Sequence, residues 1–303
     1  ASRLKKKLSG KKSITLWGEM VPGPYGGGSQ FLKALAVEFT RKGFIVHNNS
    51  YAESNGHILN SAFFDIDKAK VVIQSSKNNP KVIHRIDGPI SLYRGTDRSI
   101  DDKIFALNKE LATTTSFQSL YSWQESLKMG FHSVNPMIIR NACDPSLFYK
   151  KEASLPEKEK KIRLISSSWS TNARKGFDAY QYLDENLDFS QFEYQFIGRA
   201  PAPFKNIKLI DAVPSAELGQ YLRNADIFIF TSWRESASNA LLEAINCGLP
   251  VIYYADSGGN KEFTWYSGLS YKEPSEIPGL IQKIIENYEG YQICTYSLNI
   301  SEV

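Results

Sequence analysis

The most restrictive feature of this sequence is an alternation, repeated along most of its length, between short apolar runs and segments with helical spacing of apolar residues. The first cycle opens with an apolar run at residues 13–17, passes through a Pro- and Gly-rich loop at 21–28, and continues into a helix from Ser29 that Gly43 ends. The helix has one apolar face, formed by Phe31, Leu32, Leu35, Ala36 and Phe39. A further strand is predicted at residues 44–46, and this series is typical of the opening of a doubly wound α/β domain.

The same alternation predicts the rest of the first half. Central parallel strands are apolar on both faces, and the runs at residues 71–73 and 82–83 fit that description. A last strand is predicted at residues 136–139. Helical spacing predicts helices near residues 101–111 and 119–129.

A second series follows a break in the pattern. Residues 141–156 lose the periodicity and carry two prolines and several charges, which is typical of an interdomain linker. Beyond them, strands are predicted at residues 162–165, 194–197, 226–230 and 250–253, and helices at 177–186, 217–223, 239–246 and 277–287. A chain of 303 residues is about twice the usual domain length. We therefore predict an α/β protein of two Rossmann-like, doubly wound domains facing across a cleft, with residues 1–150 in the first and 151–303 in the second.

Composition narrows the expected setting. The net charge is +4, and five lysines between residues 5 and 12 supply much of the local excess. This tract lacks interleaved aromatic residues and gives little support for nucleic-acid binding. It is either a solvated tail or a peripheral contact with an anionic membrane. Three cysteines without metal-ligand spacing suit a reducing compartment, and no apolar run approaches the ~20 residues that span a bilayer, so we expect a cytoplasmic protein.

The loop after the apolar strand at residues 226–230 carries the strongest functional signal. It runs from Thr231 through small residues to a helix that starts near Ser238, with Glu235 before the helix and Glu243 inside it. Small residues let backbone amides approach an anion, and the helix dipole favours negative charge at that end. We expect a diphosphate there, with the two carboxylates binding hydroxyl groups of two sugars. The alternative is ordinary capping by Ser238, with both carboxylates exposed.

This segment resembles a known family. Glu235, seven intervening residues and Glu243 resemble the paired-glutamate motif of the retaining GT-B glycosyltransferases of family 4, and residues 242–252 and 257–262 resemble the runs that follow it. The resemblance implies that Glu235 contacts the transferred sugar and Glu243 the ribose. It implies that the distal phosphate is held by the backbone amides of Ala237, Ser238, Asn239 and Ala240. The family usually carries Gly-Phe-Gly where this chain has Ser-Ala-Ser at 236–238, and the residues stay small enough to keep the cradle.

A second loop, at residues 166–177, carries cationic residues. In the family, an arginine and a Lys-Gly pair in this loop neutralise the diphosphate, and Lys175-Gly176 matches that pair. The arginine is absent from its usual position, so Arg174 or Arg199 is expected to supply the missing charge. The alternative for Arg174 is solvation at the surface.

Glycines form a third loop, in the first domain. Gly26, Gly27 and Gly28 stand before a helix, where consecutive glycines permit close approach of a ligand. The family has a similar loop that closes over the donor phosphates and the acceptor, whereas the sequence by itself predicts only a tight turn. In the family fold, contacts to the nucleobase come largely from the backbone, and here they are expected near Val213.

Polar residues follow the strand at residues 82–83. Arg85 and Asp87 stand at its end, where they are expected to position the acceptor hydroxyl or the donor sugar. The family has an active-site His or Asp near this loop, and Asp87 is preferred over His84. The alternative is a purely structural ion pair between Arg85 and Asp87.

No metal site is expected. Asp65-Ile66-Asp67 matches the metal-binding DxD motif of another glycosyltransferase architecture, but it stands just before a Lys-Ala-Lys segment, so helix capping or surface exposure is the expected role. No His/Cys cluster suggests zinc, and helix amides with cationic groups can stabilise a leaving diphosphate without a metal.

These features and the resemblance imply a retaining transferase that moves a hexose-type sugar from a UDP- or GDP-linked donor to a hydroxyl group of a glycan, a lipid or a small molecule. Glu235, Asp87, Lys175 and Arg85 are the expected catalytic residues, and no cofactor is expected. Two other functions stay open: a sugar-nucleotide epimerase of the same fold, which needs no acceptor, and a non-enzymatic sugar-nucleotide-binding partner of an active transferase.

Overall fold

The computed structural model describes residues 12–22, 27–150, 160–264 and 267–293, which divide into two compact units. The first unit holds the described residues up to Ile90 together with Asp97–Gln118 and Ser122–Ile139. The second holds Ser91–Thr96, Ser119–Tyr121 and the described residues from Arg140 onward. Among these residues, no helix has both the length and the apolar character needed to cross a membrane.

The first unit is built on a parallel sheet of six strands. These are β1 (Ser13–Trp17), β2 (Ile45–Asn48), β3 (Gly56–Asn60), β4 (Lys81–Ile86), β5 (Thr114–Phe117) and β6 (Pro136–Ile138). They are ordered β2-β1-β3-β4-β5-β6, so the winding direction reverses between β1 and β3.

Five helices alternate with these strands along the chain: α1 (Gly27–Arg41), α2 (Ile66–Gln74), α3 (Ile90–Arg94), α4 (Ser99–Leu111) and α5 (Leu120–Lys128). The apolar face predicted for α1 packs against a cluster around Leu16, Leu32 and Ile58, which confirms it. Gly43 follows α1 with a φ of 88°, a left-handed conformation that suits the end of a helix.

One predicted strand is wrong. Residues 71–73 belong to α2, where Ala69 and Ile73 are buried and Val71 is 67% exposed. The run is apolar, but its neighbours bury one helical face, and the side chain of Asp65 caps the helix by accepting from the backbone nitrogen of Lys68 at 3.0 Å. The capping role expected for Asp65-Ile66-Asp67 is therefore confirmed.

The second unit holds another parallel sheet of six strands: β7 (Ile162–Ser168), β8 (Phe192–Gly198), β9 (Lys208–Ile210), β10 (Ile227–Phe230), β11 (Val251–Tyr254) and β12 (Gly268–Tyr271). They are ordered β12-β11-β10-β7-β8-β9, with the reversal between β7 and β10. The prediction of an α/β protein with two doubly wound sheets is confirmed.

The helices of this unit are α6 (Phe177–Asn186), α7 (Ser215–Asn224), α8 (Asn239–Asn246), α9 (Lys261–Thr264), α10 (Ile277–Glu286) and α11 (Tyr288–Ile293), with 3₁₀ turns at Ala173–Lys175 and Pro274–Glu276. Two buried apolar clusters hold them: one contains Phe228 and Leu241, the other Ile229 and Ile281. Because alternate residues of β10 belong to different clusters, both faces of the sheet are covered. The four helices and four strands predicted for this half are present. Two of the helices have the predicted bounds, and the other elements begin and end within three residues of them.

Candidate active site

Two loops leave the second sheet at its point of reversal and are bonded to each other. The backbone nitrogen of Trp233, after β10, donates to the carbonyl oxygen of Arg174, after β7, at 2.8 Å. The hydroxyl of Thr231 donates to the carbonyl oxygen of Lys175. In open α/β sheets, ligands bind beyond the carboxyl ends of the strands at this point, so the two loops lie where a ligand is expected.

Gly176 allows this close approach. It has a φ of 68°, and a Cβ built on it would lie 2.3 Å from the carbonyl oxygen of Thr231. No other residue fits there without moving the backbone. The Lys-Gly pair read from the sequence therefore has a structural cause, since the glycine brings the lysine against the end of β10.

Lys175 and Glu235 meet as an ion pair. The Lys175 ammonium group donates to Oε1 of Glu235, and the two side chains are 24% and 14% exposed. The structure thus brings together two of the predicted catalytic residues. The pair offers a cation that suits a phosphate and a carboxylate that accepts hydrogen bonds from sugar hydroxyl groups.

The backbone of Glu235 rests on the glycine pair that follows β11. Glu235 forms a parallel bridge with Gly258, and the backbone nitrogen of Gly259 donates to the Glu235 carbonyl oxygen at 2.8 Å. A Cβ on Gly259 would lie 2.0 Å from the carbonyl oxygen of Ser236. These glycines support the glutamate loop, and larger residues would push it away.

The N-terminus of α8 lies directly after this loop. Ser238 is its N-cap residue, but its side chain makes no capping hydrogen bond. Its backbone nitrogen donates to Oδ1 of Asn260 at 2.8 Å, and Nδ2 of Asn260 donates to the carbonyl oxygen of Ser257 at 2.8 Å. The Ser238 amide predicted for phosphate binding is thus already engaged, whereas those of Asn239 and Ala240 lie in the first turn, where no intrahelical acceptor exists. Ala237 is partly buried just ahead of them.

Glu243 lies one turn into α8 and is largely enclosed. Burial raises the pKa of its carboxyl group to about 7. Within the part of the chain that the structure describes, no hydrogen bond or ion pair engages this carboxyl group. A partly buried carboxyl group that makes no such bond in a loop-lined site is a candidate ligand contact. The alternative of capping by Ser238 with both carboxylates exposed does not describe the structure, because the Ser238 side chain makes no capping hydrogen bond and both glutamates are partly buried.

Arg174 and Arg199 both lie near the carboxyl ends of β7 and β8, each beside a tryptophan. The guanidinium of Arg174 is 5.3 Å from the ring centre of Trp233, and that of Arg199 is 4.6 Å from the ring centre of Trp169. Such cation–π contacts orient an arginine without neutralising its charge. The choice between the two as a replacement for the missing arginine stays open.

The remaining predicted donor-site residues are spread over both units. Val213 is partly buried and packs on the core cluster that includes Leu241. Gly27 and Gly28 form the first turn of α1 and not the predicted loop, and a Cβ on Gly28 would lie 3.1 Å from Nδ2 of Asn60. Gly26 lies outside the described residues.

In the first unit, polar side chains gather at the ends of β3, β4 and β5. Arg85 is 5% exposed, and its Nη1 donates to Oδ1 of Asn60 at 2.6 Å and to Oδ1 of Asp87. The Asp87 Oδ1 also accepts from Nε2 of Gln118, a residue that is 4% exposed. The guanidinium of Arg85 lies 3.9 Å from the ring centre of Phe31. The network contains the predicted Arg85–Asp87 pair and adds Gln118, which sequence reasoning missed because β5 was not recognised.

His84 is excluded from direct ligand contact by its position. It is completely buried, with Nε2 2.7 Å from the carbonyl oxygen of Ser61 and Nδ1 3.2 Å from Nδ2 of Asn108. Burial lowers its pKa to about 4, so the ring is neutral at physiological pH. Asp87, whose side chain is 18% exposed, is the more accessible of the two candidates.

Possible metal ligands are scattered. Among the described residues, no three His, Cys, Asp or Glu side chains lie close enough together to hold a metal ion.

Comparison with known proteins bears on this arrangement. Residues 203–296, which include Glu235, α8 and the glycine pair, match the family described as glycosyl transferases group 1. No characterised protein sequence matches the chain. Solved structures do match over nearly its whole length: the sucrose-phosphate synthase of Thermosynechococcus elongatus has a TM-score of 0.72 at 14% identity, over 93% of this chain and 92% of that one.

The fold is GT-B. Two further GT-B structures are similar. Anabaena Alr3699/HepE in complex with UDP and glucose has a TM-score of 0.69 at 14% identity, over 93% of this chain and 92% of that one. An alpha-glucosyltransferase in complex with UDP and a 13-mer DNA has a TM-score of 0.65 at 12% identity, over 96% of both chains. The match of residues 203–296 and the GT-B fold of the similar structures agree with the prediction of a glycosyltransferase.

Proposed function

We propose that this chain is a retaining glycosyltransferase that takes a hexose from a UDP- or GDP-linked donor and transfers it to a hydroxyl group of a glycan, a lipid or a small molecule. The observation that carries the proposal is the group formed at the reversal point of the second sheet. There a cation, Lys175, meets a carboxylate, Glu235, beside the first-turn amides of α8 and the unpaired carboxyl group of Glu243.

Each part of this group has a task in the proposed donor complex. The β-phosphate accepts from the amides of Asn239 and Ala240 and from Lys175, since a helix N-terminus and an ammonium group both favour an anion. Arg174 and Arg199 add positive charge at the same edge of the sheet. Glu243 accepts from ribose hydroxyl groups and Glu235 from hydroxyl groups of the transferred sugar.

The proposed reaction is a front-face substitution. The bond from the anomeric carbon to the phosphate oxygen breaks while the acceptor oxygen bonds to that carbon on the same face. The departing phosphate oxygen takes the acceptor proton. Lys175 and the α8 amides stabilise the charge that develops on the leaving group, and Asp87, held by Arg85, accepts a hydrogen bond from a sugar hydroxyl in the first unit.

UDP is the first nucleotide to test, because Anabaena HepE, which shares the fold, has been crystallised with UDP. The acceptor stays broad, since one protein of this fold carries a DNA oligonucleotide in its crystal. We expect UDP to raise the melting temperature of the wild-type chain, since a ligand at 100 times its Kd adds about 2.7 kcal/mol of stability.

Lys175→Met should weaken UDP binding by about 10- to 100-fold, the loss expected for a hydrogen bond to a charged group. Lys283→Met is the matched control, because Lys283 is an exposed lysine on α10. Calorimetric titration of both variants tests the assignment. It fails if neither UDP nor GDP binds the wild type, or if both variants bind as the wild type does.

Turnover separates the proposal from its rivals. UDP-sugar incubated without acceptor should yield slow hydrolysis and no epimer, and addition of a competent acceptor should yield a glycoside with the anomeric configuration of the donor. Epimer formation in the absence of acceptor, or binding without any turnover, would replace the proposal with the epimerase or the binding subunit.

A further inference from the structure

The loop after β2 holds a bulky residue in a conformation that bulky residues avoid. Tyr51 has a φ of 86°, and Asn49, two residues earlier, has a φ of 51°. Asparagine tolerates the left-handed region, whereas an aromatic residue there is a true outlier. Such residues persist only where surrounding contacts impose them, and they cluster at functional sites.

The surrounding contacts do impose this conformation. The Asn49 side chain accepts from the backbone nitrogen of Gly18 at 2.9 Å and donates to its carbonyl oxygen at 2.9 Å. The buried hydroxyl of Thr15 donates to the carbonyl oxygen of Ser50 at 3.0 Å and lies 2.6 Å from the hydroxyl of the buried Ser54. The loop is thereby fixed to β1 on both sides of Tyr51.

The result is an exposed aromatic surface, which we call the Tyr51 platform and define as the rings of Tyr51 and His47. The two rings are stacked, with centres 4.1 Å apart and an angle of 22° between their planes. Tyr51 is 47% exposed although the His47 ring stacks on its side chain. Partial burial lowers the pKa of His47, which favours the neutral form of its ring.

The platform lies at the edge of the first sheet where its strands end. Asn48, the last residue of β2, is paired with Leu16 near the end of β1. β4, which leads to Asp87, is three strands away from β2 in the same sheet, or roughly 14 Å at the usual strand spacing. That separation exceeds one sugar ring.

We propose that the Tyr51 platform is a distal subsite that stacks on a sugar ring of the acceptor, which makes the acceptor a glycan of at least two sugar units. The inference rests on the proposed function, because only a transferase has an acceptor. Sugar binding at the platform can be measured independently of transfer. The C–H face of a pyranose is apolar and uncharged and matches an exposed, neutral aromatic ring. A loop held by these hydrogen bonds presents that ring at a reduced entropic cost on binding.

Saturation-transfer difference NMR on the full chain tests the proposal, with methyl glucosides, maltose, lactose and chitobiose as probes. At least one probe should show signals from its ring C–H protons with the wild type. Tyr51→Asn should reduce its affinity about five- to tenfold, the loss that corresponds to one aromatic contact. Asparagine accepts a positive φ, so this variant removes the ring and leaves the loop unstrained.

Two control variants sharpen the result. Tyr51→Phe keeps the ring and should keep the binding. Tyr149→Asn removes a ring of the second unit that is 49% exposed and should leave the binding unchanged. The platform is refuted if no probe binds the wild type up to its solubility limit, or if Tyr51→Asn binds as the wild type does. UDP titrated into the same samples reports on the proposed function separately, because its site lies in the second unit.

Discussion

At the scale of single residues, the enclosed carboxyl group of Glu243 makes stability depend on pH. Its pKa rises from an ordinary value of 4.5 to about 7 in the folded chain, so the folded state holds this proton more tightly than the unfolded state. Stability from this group is therefore complete below about pH 4.5 and declines as the pH rises through about 7. The decline is at most about 3 kcal/mol, at 1.36 kcal/mol for each pH unit between the two pKa values.

Glu243→Gln should abolish this decline, because glutamine has the same shape and does not titrate. Urea unfolding at pH 5 and pH 8 measures it: the stability of the variant relative to the wild type should rise by up to about 3 kcal/mol between the two pH values. Burial of the glutamine amide costs the same stability at both pH values, so this cost cancels when the two measurements are compared. A relative stability that does not change with pH would show that the carboxyl group is already ionised or solvated.

Gln118 should matter for turnover and not for nucleotide binding. Gln118→Leu keeps the volume of a buried side chain but removes a donor to the Asp87 carboxylate, so kcat/KM should fall about tenfold, as expected for a lost bond to a charged group. The UDP affinity should stay unchanged, since UDP is proposed to bind the second unit.

Gln191→Leu is the matched control for Gln118→Leu. It removes an exposed Gln–Asp bond, from Nε2 of Gln191 to Oδ2 of Asp188 at 2.6 Å, far along the chain from Asp87. Equal losses of kcat/KM in both variants would mean that the bond to Asp87 has no special role.

At the scale of elements, the turn between β7 and α6 depends on a missing Cβ. Gly176→Ala should cost about 2–4 kcal/mol, because it adds the left-handed penalty to a forced shift of the Thr231 backbone. Gly43→Ala has the same kind of φ, at 88°, but no atom within 4 Å of the new Cβ, so only the penalty of about 1–2 kcal/mol applies. Chemical denaturation measures the loss of stability in each variant, and the difference between the two losses is the steric cost at Gly176. Equal losses would contradict a steric role for the contact with Thr231.

Helices and strands were predictable where the local spacing of apolar residues alone determines them. α6 and α8 have the predicted bounds because they bury one regular apolar face and end at recognisable residues. β5 was missed because it is polar: Thr115 is fully buried and exchanges hydrogen bonds with Asn108. Residues 71–73 were assigned to a strand because an apolar run of three has no period of its own.

The candidate site was predictable only in part, for a related reason. Lys175 and Glu235 were predictable because each stands in a short motif, the Lys-Gly pair and the paired glutamates, that resembles a known family. Asn260 and Gln118 contact Ser238 and Asp87, which lie 22 and 31 positions away, and nothing in the local sequence indicates such long-range contacts. The choice between Arg174 and Arg199 is equally ambiguous, because each lies beside a tryptophan at the same edge of the sheet.

At the scale of the whole molecule, the two units should respond differently to a nucleotide. Hydrogen exchange measured by mass spectrometry should show slower exchange on addition of UDP in peptides covering residues 166–176 and 231–243, whose amides border the proposed site. Peptides covering β1 to β3 should exchange at the same rate with and without UDP. Protection limited to the first unit would move the nucleotide site there and contradict the proposal.

The contact between Lys175 and Glu235 also has a bearing on selectivity among anions. The ion pair lowers the attraction that Lys175 by itself would exert on inorganic phosphate or on other small anions of the cell. To bind the Lys175 ammonium group, such an anion has to break the ion pair. It then leaves the Glu235 carboxylate, which is mostly shielded from water, without a partner. A nucleotide sugar avoids this cost in the proposed complex, because its phosphates bind Lys175 while its sugar hydroxyl groups donate to Glu235. We therefore expect a nucleotide sugar to bind this site more tightly than UDP or inorganic phosphate does.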